Sequence, residues 1–243
     1  MGNAGEWLYS IITFRGNIAM SKILIVGGSS GIGLATAEIF SKNKHQITIT
    51  SPNATANKSS EFSKINLDFT NETAIKTFFE NNRDFDYVIA SATTPLAMGP
   101  FLSINLEDAK KCFDKFWGMV HVIRYAAQYS KQLKAISVVS GAAADKRGAP
   151  VTFLATSSMA IHVLVESLAI ELAPIRINAI SPGLTHTPLY GDTPQKTLQE
   201  WADGTPLKRL ATADEVAEVI YFVTLHPQMT GAIIPVDAGG RLV

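Results

Sequence analysis

The stretch Val26-Gly27-Gly28-Ser29-Ser30-Gly31-Ile32-Gly33 carries the first chemical signal in the chain. It follows the apolar run Ile23-Leu24-Ile25-Val26, which reads as a buried strand. It precedes Leu34-Ala35-Thr36-Ala37-Glu38-Ile39-Phe40, which reads as a helix with Leu34, Ala37 and Ile39-Phe40 toward the core. A glycine-rich turn between a strand and a helix leaves backbone N–H groups at the helix N-terminus. Such a turn suits an anion, for instance the pyrophosphate of a dinucleotide. Glycine lets the backbone turn tightly and approach a ligand with no Cβ in the way. Taken alone, the pattern fits an ordinary loop of small residues equally well, so the rest of the chain must decide.

The elements that would position this turn alternate. Ile23–Gly27 is strand one, and the first helix runs to about Asn43. Gln46–Thr50 is a short β-branched strand, followed by a polar loop over 51–60. Phe62–Leu67 is a weaker strand, and Asn71–Asn81 is a helix with Thr70 or Asn71 as N-cap. Asp86–Ala90, Ala135–Ser140, Arg176–Ile180 and Ala232–Val236 read as strands. Leu106–Ser130, Val151–Leu172 and Ala213–His226 read as helices. This β-α-β alternation predicts an α/β fold: a single-domain, Rossmann-type doubly wound parallel sheet of about seven strands, helices on both faces.

Composition narrows the function classes. The 243 residues suffice for one sizeable domain, and 47% apolar content suits a well-cored one. A net charge of zero gives no support for a nucleic-acid partner. The single cysteine, Cys112, allows no internal disulfide and points to a reducing, cytoplasmic setting. No apolar run is long enough to suggest a membrane span, and no metal site is expected. Trp7–Phe14 is apolar but short, with no basic segment before it, so it makes a poor signal peptide. Residues 1–19 read as an extension outside the fold, and 20–243 as the folded domain.

Several local patterns, in order, resemble the short-chain dehydrogenase/reductase family. The turn Gly27–Gly33 is similar to the family's Thr-Gly-x-x-x-Gly-x-Gly, with Val26 in place of the threonine. Asp68 matches its adenine-contacting acid, and Ser140 stands where its active-site serine closes strand five. Ser167–Pro174 with Arg176–Gly183 resembles its helix–strand–Pro-Gly signature. Pro206–Arg209, Asp214–Ala217, Thr230-Gly231 and Asp237–Gly240 resemble its C-terminal part. The resemblance spans about residues 21–243 and implies a bound NAD or NADP. It carries the cofactor role to Gly27, Ser29, Ser30, Gly31, Ile32 and Gly33. It adds Ser51, Asp68 and Phe69, then Ala90, Ser91 and Ala92, and finally Pro182, Gly183, Thr185 and Thr187.

The resemblance also implies hydride transfer between a nicotinamide and a small-molecule carbonyl or alcohol. In the family a tyrosine hydroxyl moves the proton, and a lysine four residues on lowers its pKa and holds the ribose. A serine polarises the carbonyl, and an asparagine on the preceding long helix completes a relay. Aligning back from Ser167-Leu168-Ala169 puts Leu154 at the tyrosine position and Ser158 at the lysine position. Counting forward from Ser140 selects Phe153 and Ser157 instead. No tyrosine in the chain has a lysine four residues later. The asparagine position falls on Lys115 or Phe116, and its spacing favours Lys115.

Ser140 therefore reads as the retained catalytic serine. Lys115 is the candidate proton donor, its pKa lowered by burial, and Ser158 is a further candidate for contact with ribose or substrate. His186 lies in a substrate-side loop, whereas His121 and His162 read as packing or surface residues. The end of strand two, Ser51-Pro52-Asn53, has no acid to repel a 2′-phosphate, so NADP is favoured slightly over NAD. Asn53, Thr55 and Lys58 could surround that phosphate. A non-catalytic NAD(P) sensor and a structural subunit are the rival readings. Family likeness further implies a homodimer or homotetramer through the two long helices, 106–130 and 151–173, and the C-terminal segment.

Overall fold

The computed structural model describes residues 20–52 and 62–243. The extension over 1–19 and the phosphate candidates Asn53, Thr55 and Lys58 lie outside the described residues. The chain forms a seven-stranded, wholly parallel sheet in the order β3-β2-β1-β4-β5-β6-β9. Its strands are β1 (Lys22–Val26), β2 (Gln46–Ser51), β3 (Ser63–Asn66), β4 (Tyr87–Ala90), β5 (Ala135–Val139), β6 (Arg176–Pro182) and β9 (Ile233–Val236). A two-stranded parallel pair, β7 (Thr185–His186) with β8 (Ala211–Thr212), sits beside it. The helices are α1 (Gly31–Lys42), α2 (Glu72–Asn81), α3 (Leu106–Tyr129), α4 (Thr152–Glu171), α5 (Gln195–Asp203) and α6 (Ala213–Leu225).

The apolar runs become central strands because both of their faces are covered. Within β1, Leu24 and Val26 face the layer built by α2, α3 and α4, together with Val88, Ala90, Ile136 and Val138. Ile23 and Ile25 face the opposite layer of α1 and α6, with Phe40, Ile49, Val216 and Ile220. Each fully buried Ile or Leu of this kind contributes roughly 1.5–3 kcal/mol. Polar caps set the helix starts. Asn71 accepts from Ala74 N at 3.0 Å, Asn105 accepts from Glu107 N at 2.8 Å, and Thr212 with Glu215 closes a reciprocal capping box.

Two features go beyond the sequence reading. The stretch from Thr187 to Pro206, which that reading leaves without an element, contains a short 3-10 turn, Pro188–Tyr190, and α5. Burial of Ala202 and the contact of the Tyr190 and Trp201 rings, centroids 5.5 Å apart, hold this helix in place. That is packing that local propensity does not announce. Second, α4 is long and apolar enough to cross a membrane by length and composition, with a mean hydropathy of 1.6. Its inner face, Ala155, Ile161 and Val165, packs into the core, which accounts for part of that apolar content.

Candidate active site

Strand order reverses between β1 and β4, because β2 and β3 lie to one side of β1 and β4, β5 and β6 to the other. In a doubly wound sheet the crevice for a ligand opens at that switch, beyond the C-terminal ends of the strands. The turn Gly27–Gly33 sits there, and its shape requires glycine. Gly27 has φ +87°, and a Cβ on it would come within 2.5 Å of the Ala92 backbone. A Cβ on Gly33 would stand 2.1 Å from the Gly27 carbonyl oxygen. The turn is folded tightly on itself and against the segment after β4, where Ser91 N donates to Val26 O at 2.8 Å.

The N-terminus of α1 emerges from this turn with its cap, Ser30, making no side-chain bond to it. The first-turn amides of a helix lack intrahelical partners, so these are available to an anion with helix-dipole support. The cradle and the uncapped amides fit a dinucleotide pyrophosphate. Ser29 and Ser30 are exposed, while Ile32 is half-buried against the core. Ser29 Oγ donates to Ser51 Oγ at 2.9 Å, tying the glycine turn to the end of β2.

The other expected cofactor residues divide by how they are placed. Asp68 is exposed, and its Oδ1 accepts from Thr70 N at 2.9 Å and Thr70 Oγ1 at 2.8 Å. Phe69 is buried against Gly118, where a Cβ would meet its ring at 2.3 Å, so its side chain belongs to the core. Ala90 ends β4 in the interior, and Ser91 and Ala92 continue from it half-buried. Pro182 ends β6, and Gly183 packs so closely on Asp237 that a Cβ would lie 2.7 Å from that residue's Cα. Thr185 is buried and donates to Gly183 O at 3.0 Å. Thr187 reaches over the glycine turn, where a Cβ on Gly31 would be 3.3 Å from its side chain.

The residues expected to do the chemistry lie on the α3/α4 side of β5. Lys115 projects from α3, and its Nζ donates to the carbonyl oxygen of Ser140 at 2.7 Å. Burial pulls the Lys115 ammonium down from the usual lysine range to about 8. Ser140 itself is buried, its side chain turned inward. Its Oγ lies 2.8 Å from His162 Nε2 and 3.2 Å from Ile180 O. Ser158 is buried, and Leu154 is half-buried one helical turn earlier on α4. Ser158 Oγ would be 3.5 Å from a Cβ on Gly141, so the residue after Ser140 is the one beside it. Ser157 is committed to α4, donating to Leu154 O at 3.1 Å. His186 is exposed on β7.

His162 is the residue that sequence reasoning undervalued. It was assigned to packing or surface, yet it is buried with its ring nitrogen on the Ser140 hydroxyl. Its position on α4, one turn after Ser158 on the same face, was the available signal. Burial lowers its pKa, Asp145 and Glu166 pull it back up, and Lys115 adds a smaller lowering.

This architecture defines a Rossmann-type nucleotide-binding domain. A family model described as enoyl-(acyl carrier protein) reductase matches residues 26–240. The chain belongs to the short-chain dehydrogenase/reductase family, whose members are NAD(P)-dependent oxidoreductases. It is 27% identical to short-chain dehydrogenase/reductase ATR9 of Stachybotrys chlorohalonatus, over 95% of this chain and 99% of that protein. It is 26% identical to carbonyl reductase family member 4 of Xenopus laevis, over 92% and 99%. A small-chain dehydrogenase solved in complex with NADPH is 29% identical, superposes with a TM-score of 0.82, and is covered in full by 92% of this chain.

Proposed function

We propose that this chain is an NADP-preferring reductase of small carbonyl compounds in which Lys115 does the work the family gives to a tyrosine. A bound dinucleotide supplies the hydride. Gly27, Gly31, Ile32 and Gly33 would hold its pyrophosphate on the α1 amides, and Asp68 its adenine. Ala90, Ser91 and Ala92 would line its middle, and Pro182, Gly183, Thr185 and Thr187 its nicotinamide side. Ser29 and Ser51, joined by their hydroxyls, would face the adenine ribose with no carboxylate to repel a 2′-phosphate.

One observation carries the reading: the Lys115 ammonium is turned inward onto Ser140 O, not out to solvent. An ammonium has three N–H donors, and this bond uses one of them. The others can meet a substrate oxygen as negative charge develops there, then yield a proton to it. With its pKa near 8, Lys115 is charged at neutral pH and still acidic enough to donate. Leucine at 154 can do neither. Ser158, buried beside Gly141, would bond the ribose or the substrate. Ser140 contributes through its carbonyl, since its hydroxyl is engaged by His162 and Ile180.

The long helices α3 and α4 leave Trp117 and Val163 more than half exposed, beside a cavity of about 730 Å³ lined by Phe116, Met159 and Leu164 among others. This favours a homodimer or homotetramer built on that face. Titration with NADPH and NADH, followed by an NADPH-consumption assay on a panel of aldehydes and ketones, tests the reading. Binding with turnover that Lys115→Met abolishes supports it. Binding without turnover on any carbonyl would make the protein a sensor, and no binding at millimolar cofactor would end both readings.

A further inference from the structure

The hydrogen bonds around Ser140 connect three parts of the fold that are remote in sequence. From α3, Lys115 Nζ donates to the Ser140 carbonyl at 2.7 Å. From α4, His162 Nε2 meets the Ser140 hydroxyl at 2.8 Å. From β6, Ile180 O lies 3.2 Å from the same hydroxyl and also accepts the Ser140 amide at 2.8 Å. Every polar group of Ser140 is thus used. Next to it along the chain, Gly141 has no side chain to steady the segment leaving β5. The orientation of the carbonyl that docks the lysine therefore depends on what holds the hydroxyl and the amide.

We propose that His162 is a positioning residue for Lys115: by gripping the Ser140 hydroxyl it fixes the Ser140 carbonyl as the dock that keeps the Lys115 ammonium inside the cleft. Two features support this assignment over simple core filling. First, both His162 and Ser140 are at most 5% exposed, so their polar atoms depend on protein partners, and Nε2 finds its partner in the same residue whose carbonyl holds Lys115. Second, the single hydroxyl hydrogen of Ser140 goes to Ile180 O, which leaves Oγ to accept from Nε2–H of the imidazole. The charged groups that act on it are Asp145, Glu166 and Lys115. In this arrangement the serine hydroxyl oxygen accepts from the histidine, the serine carbonyl accepts from the lysine, and no ligand contact is asked of either Ser140 or His162.

The proposal rests on Lys115 being the group of interest in the cleft, but its test needs neither cofactor nor turnover. The amine of Lys115 is followed by NMR in lysine-labelled protein from neutral to strongly alkaline pH, its signal identified by its loss in Lys115→Met. In the wild type it titrates near 8. Ser140→Ala and His162→Leu each release the dock and move that titration up by roughly one unit as the ammonium regains water. The double variant moves it no further than either single one, because both remove the same bond. His162→Gln, whose amide can still reach the hydroxyl, restores the wild-type value. A titration unmoved in both single variants, or shifts that add in the double, would overturn the proposal. If His162→Leu does not fold, Ser140→Ala removes only one heavy atom and decides the matter alone. Coupling seen without turnover on any carbonyl would leave the positioning role standing and remove the reductase reading. Turnover lost in Lys115→Met without coupling would do the reverse.

Discussion

The two ends of the crevice are built from different materials. At the end proposed for the cofactor, the glycine turn presents backbone: amides at the start of α1, a Gly27 pressed on Ala92, and a Gly33 with no room for a methyl group. At the proposed chemistry end, Lys115 and Ser158 present side chains from two helices, with Ser140 and His162 behind them. Backbone sites tolerate almost no substitution, because a Cβ has nowhere to go. Side-chain sites can exchange their groups, since a charge delivered from one helix can be delivered from its neighbour. The family's lysine comes from the helix here numbered α4. In this chain the inward-facing ammonium comes from α3, which packs against α4.

The contrast puts the largest expected effect at the backbone end. Gly33→Val puts atoms where the Gly27 carbonyl already lies, and NADPH affinity should fall by about 100-fold or more, close to 3 kcal/mol. Fluorescence titration measures it, with circular dichroism to check the fold, and unchanged affinity would show that the turn is not the cofactor site. Next comes the side-chain end. Lys115→Met should lower kcat for carbonyl reduction by roughly 10²–10⁴-fold while NADPH affinity stays within about threefold. A comparable loss of affinity would show that Lys115 holds cofactor and moves no proton.

Smaller effects sharpen the boundary between the ends. Ser51→Asp brings a carboxylate to the end of β2, where it should weaken NADPH about tenfold or more and leave NADH unchanged or tighter. Equal losses for both would place the 2′-phosphate elsewhere. The smallest effect is a control. Thr212→Ala removes the α6 capping box, costing about 1 kcal/mol in chemical denaturation and altering neither cofactor affinity nor kcat. A change in kcat there would mean that α6 communicates with the crevice.

The same contrast explains what could be read from the sequence. The sheet, its helices and the glycine turn were legible, because strands buried on both faces give continuous apolar runs and a tight turn demands glycine at fixed spacing. The caps at Asn71 and the end of α3 were legible to within a residue. The Ser140 cluster was not, because it joins positions 25 and 22 residues away from Ser140 through side chains with no sequence spacing to announce them. Lys115 was found only by its place in a family pattern, and His162 was passed over because a helical histidine is usually packing. Ser140 falls just past the end of β5, and its hydroxyl is engaged by His162 on α4 and Ile180 O on β6, where the family pattern implies one open to polarise a carbonyl. Helix α5 was missed because its place is set by Tyr190 meeting Trp201 and by burial of Ala202.

Among these measurements, the pH dependence of carbonyl reduction tests the central claim most directly. A proton donor must be charged to act, and burial lowers Lys115 from the ordinary lysine value of 10.5 to about 8. The donor is therefore intact below that value and lost as pH rises through it. The rate with saturating NADPH and substrate should be level near neutrality, then fall about tenfold per pH unit above 8, a limb missing from the residual activity of Lys115→Met. A wild-type rate that holds level well beyond that point, or a Lys115→Met variant with the same profile, would contradict the assignment of Lys115 as the proton source.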